Sequence, residues 1–328
     1  MSFLILHQLT KIIDGQTVVN NISFHQTYKQ KVAIAGSTGS GKTTLLKMIA
    51  GLIQPTSGAI FFEGEKVIGP NDKLLPGHSG IAYLSQHFEL RNNYFVAELL
   101  AMVNVMSEKD ANLIYRVCKI EHLLKRRTDG LSGGERQRIA LAKLLVAAPT
   151  LLLLDEPYSN LDGLNKKLMQ QVVDAVAKQL NITCMIVSHN AHELLSWADW
   201  IMVMKDGAIV EQNIPTLIYH QPEYLYTAEL FGNILKLDFN TMGLIDIPLQ
   251  EMPNKPMYIR PEKIDIALAN ANEGEDIITK IDFFGNYDLV HVLVNKQTIQ
   301  VHCKSGMFNV GQKVIVTIQP NKICYLTE

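Results

Sequence analysis

The sequence predicts an α/β fold with a mainly parallel sheet, followed by a small all-β domain. Three observations predict it. Short, wholly apolar runs alternate with helically spaced segments over the first two-thirds of the chain. A glycine-rich loop joins one of those runs to a helix. After about Gly232 the pattern changes to short strand-like pieces separated by turn residues. Strands buried on both faces read as continuous apolar runs, and helices between them cover a parallel sheet on both sides.

The first such run is KVAIAG (Lys31 to Gly36), a strand ending in glycine. GKTTLLKMIAG follows with helical spacing, and Gly51 closes that helix. LSGGERQRIALAKLL (Leu131 to Leu145) is a second helix: Ser132 and Glu135 form a capping box, and Ile139, Ala142, Leu145 and Val146 share one face until Pro149 stops the run. TLLLLDEP and TCMIVSH are further buried strands, and WIMVMKDGAIVEQ is a hairpin turning at Asp206-Gly207. In the last third MYIRP, KIDIAL, DIITKIDFF, DLVHVLV, TIQVHC, KVIVTIQ and KICYL recur between turns such as Asn272 to Gly274 and Gly285-Asn286. Strands at that spacing predict a small all-β barrel. The boundary falls between Leu230 and Asn240, giving domains 1–232 and 233–328.

Composition narrows the class. The chain has 328 residues, 47% hydrophobic and 19% charged, enough for two cores. A net charge of −2 gives no basic excess, so no nucleic-acid partner is expected. The four cysteines, Cys118, Cys184, Cys303 and Cys324, lie far apart and read as reduced thiols of a cytosolic protein. The N-terminus has an apolar patch but no basic start or cleavage site, so no signal peptide is expected. No run approaches the roughly 18 apolar residues of a membrane span. Any membrane role is expected to be played from outside the bilayer.

The chemistry concentrates in a few places. GSTGSGKT fits G-x-x-x-x-G-K-[ST] at Gly36, Gly41, Lys42 and Thr43. Its glycines let successive N–H groups turn towards phosphate oxygens, Lys42 adds charge and Thr43 offers a hydroxyl to Mg²⁺. The following helix points its positive end at the same place. Asp155 and Glu156 end a buried strand: the first can hold a metal and the second can orient water, although two solvated acids at a strand exit is the simpler reading of that pair alone. Gly133 and Gly134 are not needed for capping and leave the backbone open to close approach. Gln86 and His189 each end an apolar strand. Lys125, Arg126 and Arg127 read as a solvated helix end or, alternatively, a contact with a membrane partner or lipid headgroups. His291 and His302 lie in strand-like pieces with no partner at metal spacing.

Together these motifs resemble the ATP-binding cassette family. They match, in order, its Walker A loop (Gly36 to Thr43), Q-loop (Gln86), signature (Leu131 to Glu135), Walker B strand (Leu151 to Glu156), D-loop (Ser159 to Asp162) and H-switch (His189). The resemblance spans about residues 1 to 230 and implies a P-loop ATPase with a helical subdomain, using ATP and Mg²⁺. It implies that Gly36, Ser37, Gly39, Ser40, Gly41, Lys42, Thr43 and Thr44 hold the phosphates. Thr43, Asp155 and Gln86 would serve the metal. Glu156 would be the general base or water-orienting group, His189 would contact the γ-phosphate, and Gln86 would sense it. In the family two cassettes pack head to tail, so Ser132, Gly133 and Gly134 would close over nucleotide held by a second copy. Ile13 stands where members usually carry an aromatic residue that stacks on adenine.

The last third, with Arg260-Pro261-Glu262 its most recognisable piece, resembles the TOBE domain, a small OB-like barrel, of importer ATPases that handle sugars, polyamines, ferric iron or sulfate. The partners this implies are a second ATPase subunit, transmembrane permease subunits and, indirectly, an extracytoplasmic solute-binding protein. The implied place is the cytoplasmic side of the cell membrane, as a peripheral subunit. Segment 87–130, beginning HFELRNNYFVAELL, is shorter than in many such importers and is expected to help receive the permease. An exporter ATPase, a soluble cassette ATPase and a regulatory module are the competing readings.

Overall fold

A computed structural model describes residues 3–86, 90–237, 256–269 and 276–328. The turn expected at Asn272 to Gly274 and the first three residues of segment 87–130 lie outside the described residues. The chain divides into two compact units, Met1–Pro215 and Thr216–Glu328.

The first unit opens with β1 (Leu4–Ile13), β2 (Gln16–Gln26) and β3 (Lys31–Ala35), then α1 (Lys42–Ile49), β4 (Ser57–Phe62), β5 (Glu65–Lys66) and β6 (Ile81–Leu84). Next come α2 (Val96–Ala101), α3 (Glu108–Val117) and α4 (Gly133–Leu145), which form the helical part. The unit closes with β7 (Leu151–Asp155), α5 (Gly163–Gln179), β8 (Thr183–Val187), α6 (Ala191–Leu195), β9 (Trp200–Lys205) and β10 (Ala208–Asn213).

Six strands form one sheet in the order β10-β9-β3-β8-β7-β6. Its inner pairs, β9 with β3, β3 with β8, β8 with β7 and β7 with β6, are parallel. Every residue of β7 and β8 is buried, as their unbroken apolar sequences require. The β9–β10 hairpin turns at Asp206 (φ 48°) and Gly207 (φ 81°), two successive left-handed residues that match the strand twist. β1, β2, β4 and β5 make a separate four-stranded antiparallel sheet, order β2-β1-β4-β5, that the sequence reading did not anticipate. The two sheets share a core that includes Leu4, Leu6, Ile34, Leu46, Phe62 and Leu153.

The second unit begins with α7 (Pro215–His220) and α8 (Leu225–Leu230), followed by β11 (Leu235–Leu237), β12 (Met257–Ile259) and β13 (Asp265–Leu268). β14 (Asp276–Phe283), β15 (Tyr287–Val294), β16 (Gln297–Lys304), β17 (Lys313–Thr317) and β18 (Cys324–Tyr325) complete it. Its described strands form a five-stranded sheet, β13-β17-β14-β15-β16, and a three-stranded one, β11-β12-β18. Met257 and Ile259 of the smaller sheet share a core with Ile278, Val290, Val292 and Val301 of the larger. Arg260, 1% exposed, binds α7 and α8 to these strands: its guanidinium donates to the carbonyls of Tyr219, Ala228 and Asn233 and stacks 4.0 Å from the Tyr219 ring. The division at Pro215 precedes the 232/233 boundary read from the sequence because these helices pack with the strands through Arg260.

Candidate active site

The glycine loop leaves β3 and enters α1. Gly41 is the N-cap residue of α1, with φ 95°, and no side chain caps the helix. The N–H groups of its first turn therefore lack side-chain partners, which suits an anion. A Cβ at Gly41 would lie 2.3 Å from the Val18 carbonyl oxygen, so only glycine fits. Lys42 folds back over the loop: its Nζ donates to the carbonyls of Gly36 (2.9 Å) and Ser37 (2.7 Å) and to Ser40 Oγ (3.3 Å). Burial lowers its pKa, against the opposing pull of Glu156 and Asp155.

The end of β7 supplies the acids. Asp155 is buried, and its Oδ1 accepts from Thr43 Oγ1 at 3.0 Å. Its other oxygen accepts from Tyr83 OH at 2.7 Å, across the parallel β6–β7 pair. Burial and this hydrogen bond raise the Tyr83 pKa far above the ordinary phenol value, so Tyr83 remains a donor. Glu156 follows with φ 52°, a left-handed conformation that costs of order 1–3 kcal/mol for a residue with a side chain. Hydrogen bonds from Glu156 N to Val187 O and from Ser159 N to Glu156 O hold that turn. Glu156 Oε2 accepts from Ser159 Oγ at 3.0 Å and lies 2.6 Å from His189 Nδ1.

One cavity of about 470 Å³ gathers most of these groups. Val18, Thr38, Gly39, Gly41, Lys42, Thr43, Thr44, Gln86, Glu156 and His189 line it. Asp155 stands behind it through Thr43. Gly36, Ser37 and Ser40 reach it through the Lys42 ammonium they hold. Ile13 is not among the lining residues; it ends β1 beside the hairpin turn and is 40% exposed, whereas Val18 of β2 lines the wall.

Ser132, Gly133 and Gly134 are also outside this cavity's lining. They begin α4, where Ser132 Oγ accepts from Glu135 N and Glu135 Oε2 accepts from Ser132 N, the reciprocal cap read from the sequence. A Cβ at Gly133 would meet nothing within 4 Å, but one at Gly134 would lie 2.6 Å from Asn165 Oδ1. Of the two glycines, Gly133 faces open space and Gly134 makes room for α5. Arg126, read as part of a basic cluster, donates to Glu135 Oε1 at 3.0 Å and to the Gly130 carbonyl, and so braces the same cap. Sequence reasoning missed Val18, Tyr83 and Asn165. The apolar run that ends at Gln86 marked Tyr83 only as a residue on a strand.

Comparison with known proteins agrees with this geometry. A family profile described as ABC transporter matches residues 19–159. The chain is 30% identical to the Fe(3+) ions import ATP-binding protein FbpC of Vibrio cholerae, over 99% of this chain and 98% of that one. It is 32% identical to the spermidine/putrescine import ATP-binding protein PotA of Mycoplasma mycoides, over 97% and 95%. The solved structure of cbiO1 from Clostridium perfringens, part of the ABC transporter complex cbiONQ, superposes with TM-score 0.57 at 26% identity, covering 66% of this chain and 90% of that one. The ADP form of the ATP-binding cassette MJ1267 superposes with TM-score 0.60 at 20% identity, over 70% and 98%, a likeness of fold.

Proposed function

This chain belongs to the ABC transporter family and is an ATPase, and from that premise we propose that it powers import of a small solute through a permease by closing on ATP with a second copy of itself. One observation carries the reading: a single cavity brings together the loop lysine, Thr43 with Asp155 behind it, and the Glu156–His189 pair.

In this reading Lys42 and the first N–H groups of α1 bind the β- and γ-phosphates of ATP, and the glycines of the loop let its backbone approach them. Thr43 and Asp155 offer hard oxygen donors 3.0 Å apart, the type Mg²⁺ selects, and with Gln86 would hold that ion. The ion supplies positive charge against the phosphate oxygens. Glu156 orients the attacking water and takes its proton as the new oxygen–phosphorus bond forms and the bond to the β–γ bridging oxygen breaks. His189, in contact with Glu156, faces the γ-phosphate. Ile13, outside the cavity's lining, would add an aliphatic contact to the base only from the hairpin at its edge.

A second copy enters this reading because Ser132, Gly133 and Gly134 do not line this chain's own cavity. Their role is to close over ATP held by the other copy. No helix among the described residues is long and apolar enough to cross a membrane; in this reading a permease supplies the passage. Relatives named for ferric ions and for polyamines match at nearly equal identity, which supports a solute chosen by the permease and its extracytoplasmic binding protein.

The test is capture from native membranes with a Glu156→Gln variant held in ATP, followed by mass spectrometry. A polytopic permease is the expected partner. Recovery of soluble proteins alone from well-solubilised membranes would overturn the importer reading.

A further inference from the structure

The Glu156 carboxylate is touched from two sides, by Ser159 from the turn after β7 and by His189 from the turn after β8. The two turns are also joined behind the carboxylate. Lys166 Nζ and Asn190 Nδ2 both donate to Glu193 Oε1. Asn190 follows His189 directly. Lys166 lies in the first turn of α5, and its N–H donates to the Asp162 carbonyl at 2.8 Å. The Asp162 side chain caps the same turn through Leu164 N (3.0 Å) and Asn165 N (2.9 Å). A continuous polar path therefore runs from Asp162 through Lys166, Glu193 and Asn190 to His189.

We propose that Glu193 is a positioning residue that fixes His189 to the Ser159–Asp162 turn, so that both contacts on Glu156 are set together. The inference rests on the ATPase reading of this site. α6 is only five residues long and has no side-chain cap, so propensity alone does not fix its start. Tertiary contacts must hold it, and among the described polar contacts Glu193 makes the link to α5. The Glu193 side chain is 11% exposed, so its pairing with Lys166 is shielded from water and resists screening. Glu193 lines a cleft beside the nucleotide cavity and not the cavity itself. Its loss acts on turnover and leaves ATP binding in place.

The experiment measures kcat and KM for ATP on the purified full chain in Glu193→Gln, Lys166→Met, the double variant and the exchanged pair Glu193→Lys with Lys166→Glu. Each single variant is expected to lower kcat about tenfold with KM within about twofold, the pattern of an interaction needed only for the chemical step. The double variant is expected to be no worse than either single, and the exchanged pair to recover part of the loss, as coupled residues do. Lys166 reaches solvent, so Lys166→Met tests the link even where Glu193 variants fold poorly. An unchanged kcat in Lys166→Met, a rise in KM that accounts for the loss, or additive losses would overturn the proposal. Glu156→Gln is measured alongside. If that variant turns over normally, the ATPase assignment of the site fails; if it is inactive while Lys166→Met is normal, only the role of Glu193 fails.

Discussion

Tyr83 shows what one side chain contributes that no motif announces. Its hydroxyl satisfies the inner oxygen of Asp155, leaving the other oxygen for Thr43. Removing it in Tyr83→Phe leaves a buried carboxylate oxygen without its donor, a loss of about 1–3 kcal/mol. The expected result is a lower denaturation midpoint and a several-fold higher Mg²⁺ concentration for half-maximal ATPase, read by magnesium titration. Glu156→Gln keeps the shape of the site but removes the carboxylate proposed as its base. Its turnover is expected to fall by about 10²–10⁴-fold, with ATP affinity nearly unchanged by equilibrium binding of a fluorescent nucleotide. Both acids stood out in the sequence at the end of an unbroken apolar strand, but only the family resemblance gave them roles. Tyr83 did not stand out, because its partner is 72 residues away and only the β6–β7 pairing brings them together.

Elements were legible where their own residues fix them and obscure where partners do. The α4 cap is local, since Ser132 and Glu135 bond each other across three residues. The difference between Gly133 and Gly134 is tertiary, since it depends on Asn165 of α5. Gly133→Ala is expected to leave stability unchanged or raise it by up to about 1 kcal/mol, through helix propensity at an unobstructed position. Gly134→Ala must displace the Asn165 side chain, which also donates to Asp162 Oδ2 at 2.7 Å. That contact is worth about 1 kcal/mol, and a urea melt of the two variants side by side separates the effects. The missed sheet has a different cause. The β1–β2 pairing is interrupted by register shifts at three places, and Gln8 and Asn21 take positive φ. Such bulges break the period-two alternation that marks a strand in sequence.

At the scale of the whole molecule, two cores were legible from the change in apolar pattern near Gly232, but the extent of the second was not. Helices α7 and α8 carry no strand-like alternation, so sequence assigns them to the helical texture before them. Arg260 decides the matter, because one guanidinium spans three carbonyls of the segment 219–233 from the end of β12. In Arg260→Ala those carbonyls lose their donor, and the buried one, of Ala228, is left unmade at a cost of about 1–3 kcal/mol. Arg260→Lys cannot replace the fan of donors or the stacking on Tyr219. Each unit has its own apolar core. The loss is therefore expected to appear in only one part of the calorimetric trace of the full chain. The transition of residues 216–328 should move down by several degrees in both variants, while ATP affinity, which resides in residues 1–215, stays within about twofold. A parallel loss of ATP binding would show that the first unit depends on Arg260 as well and that the two cores do not fold as separate units.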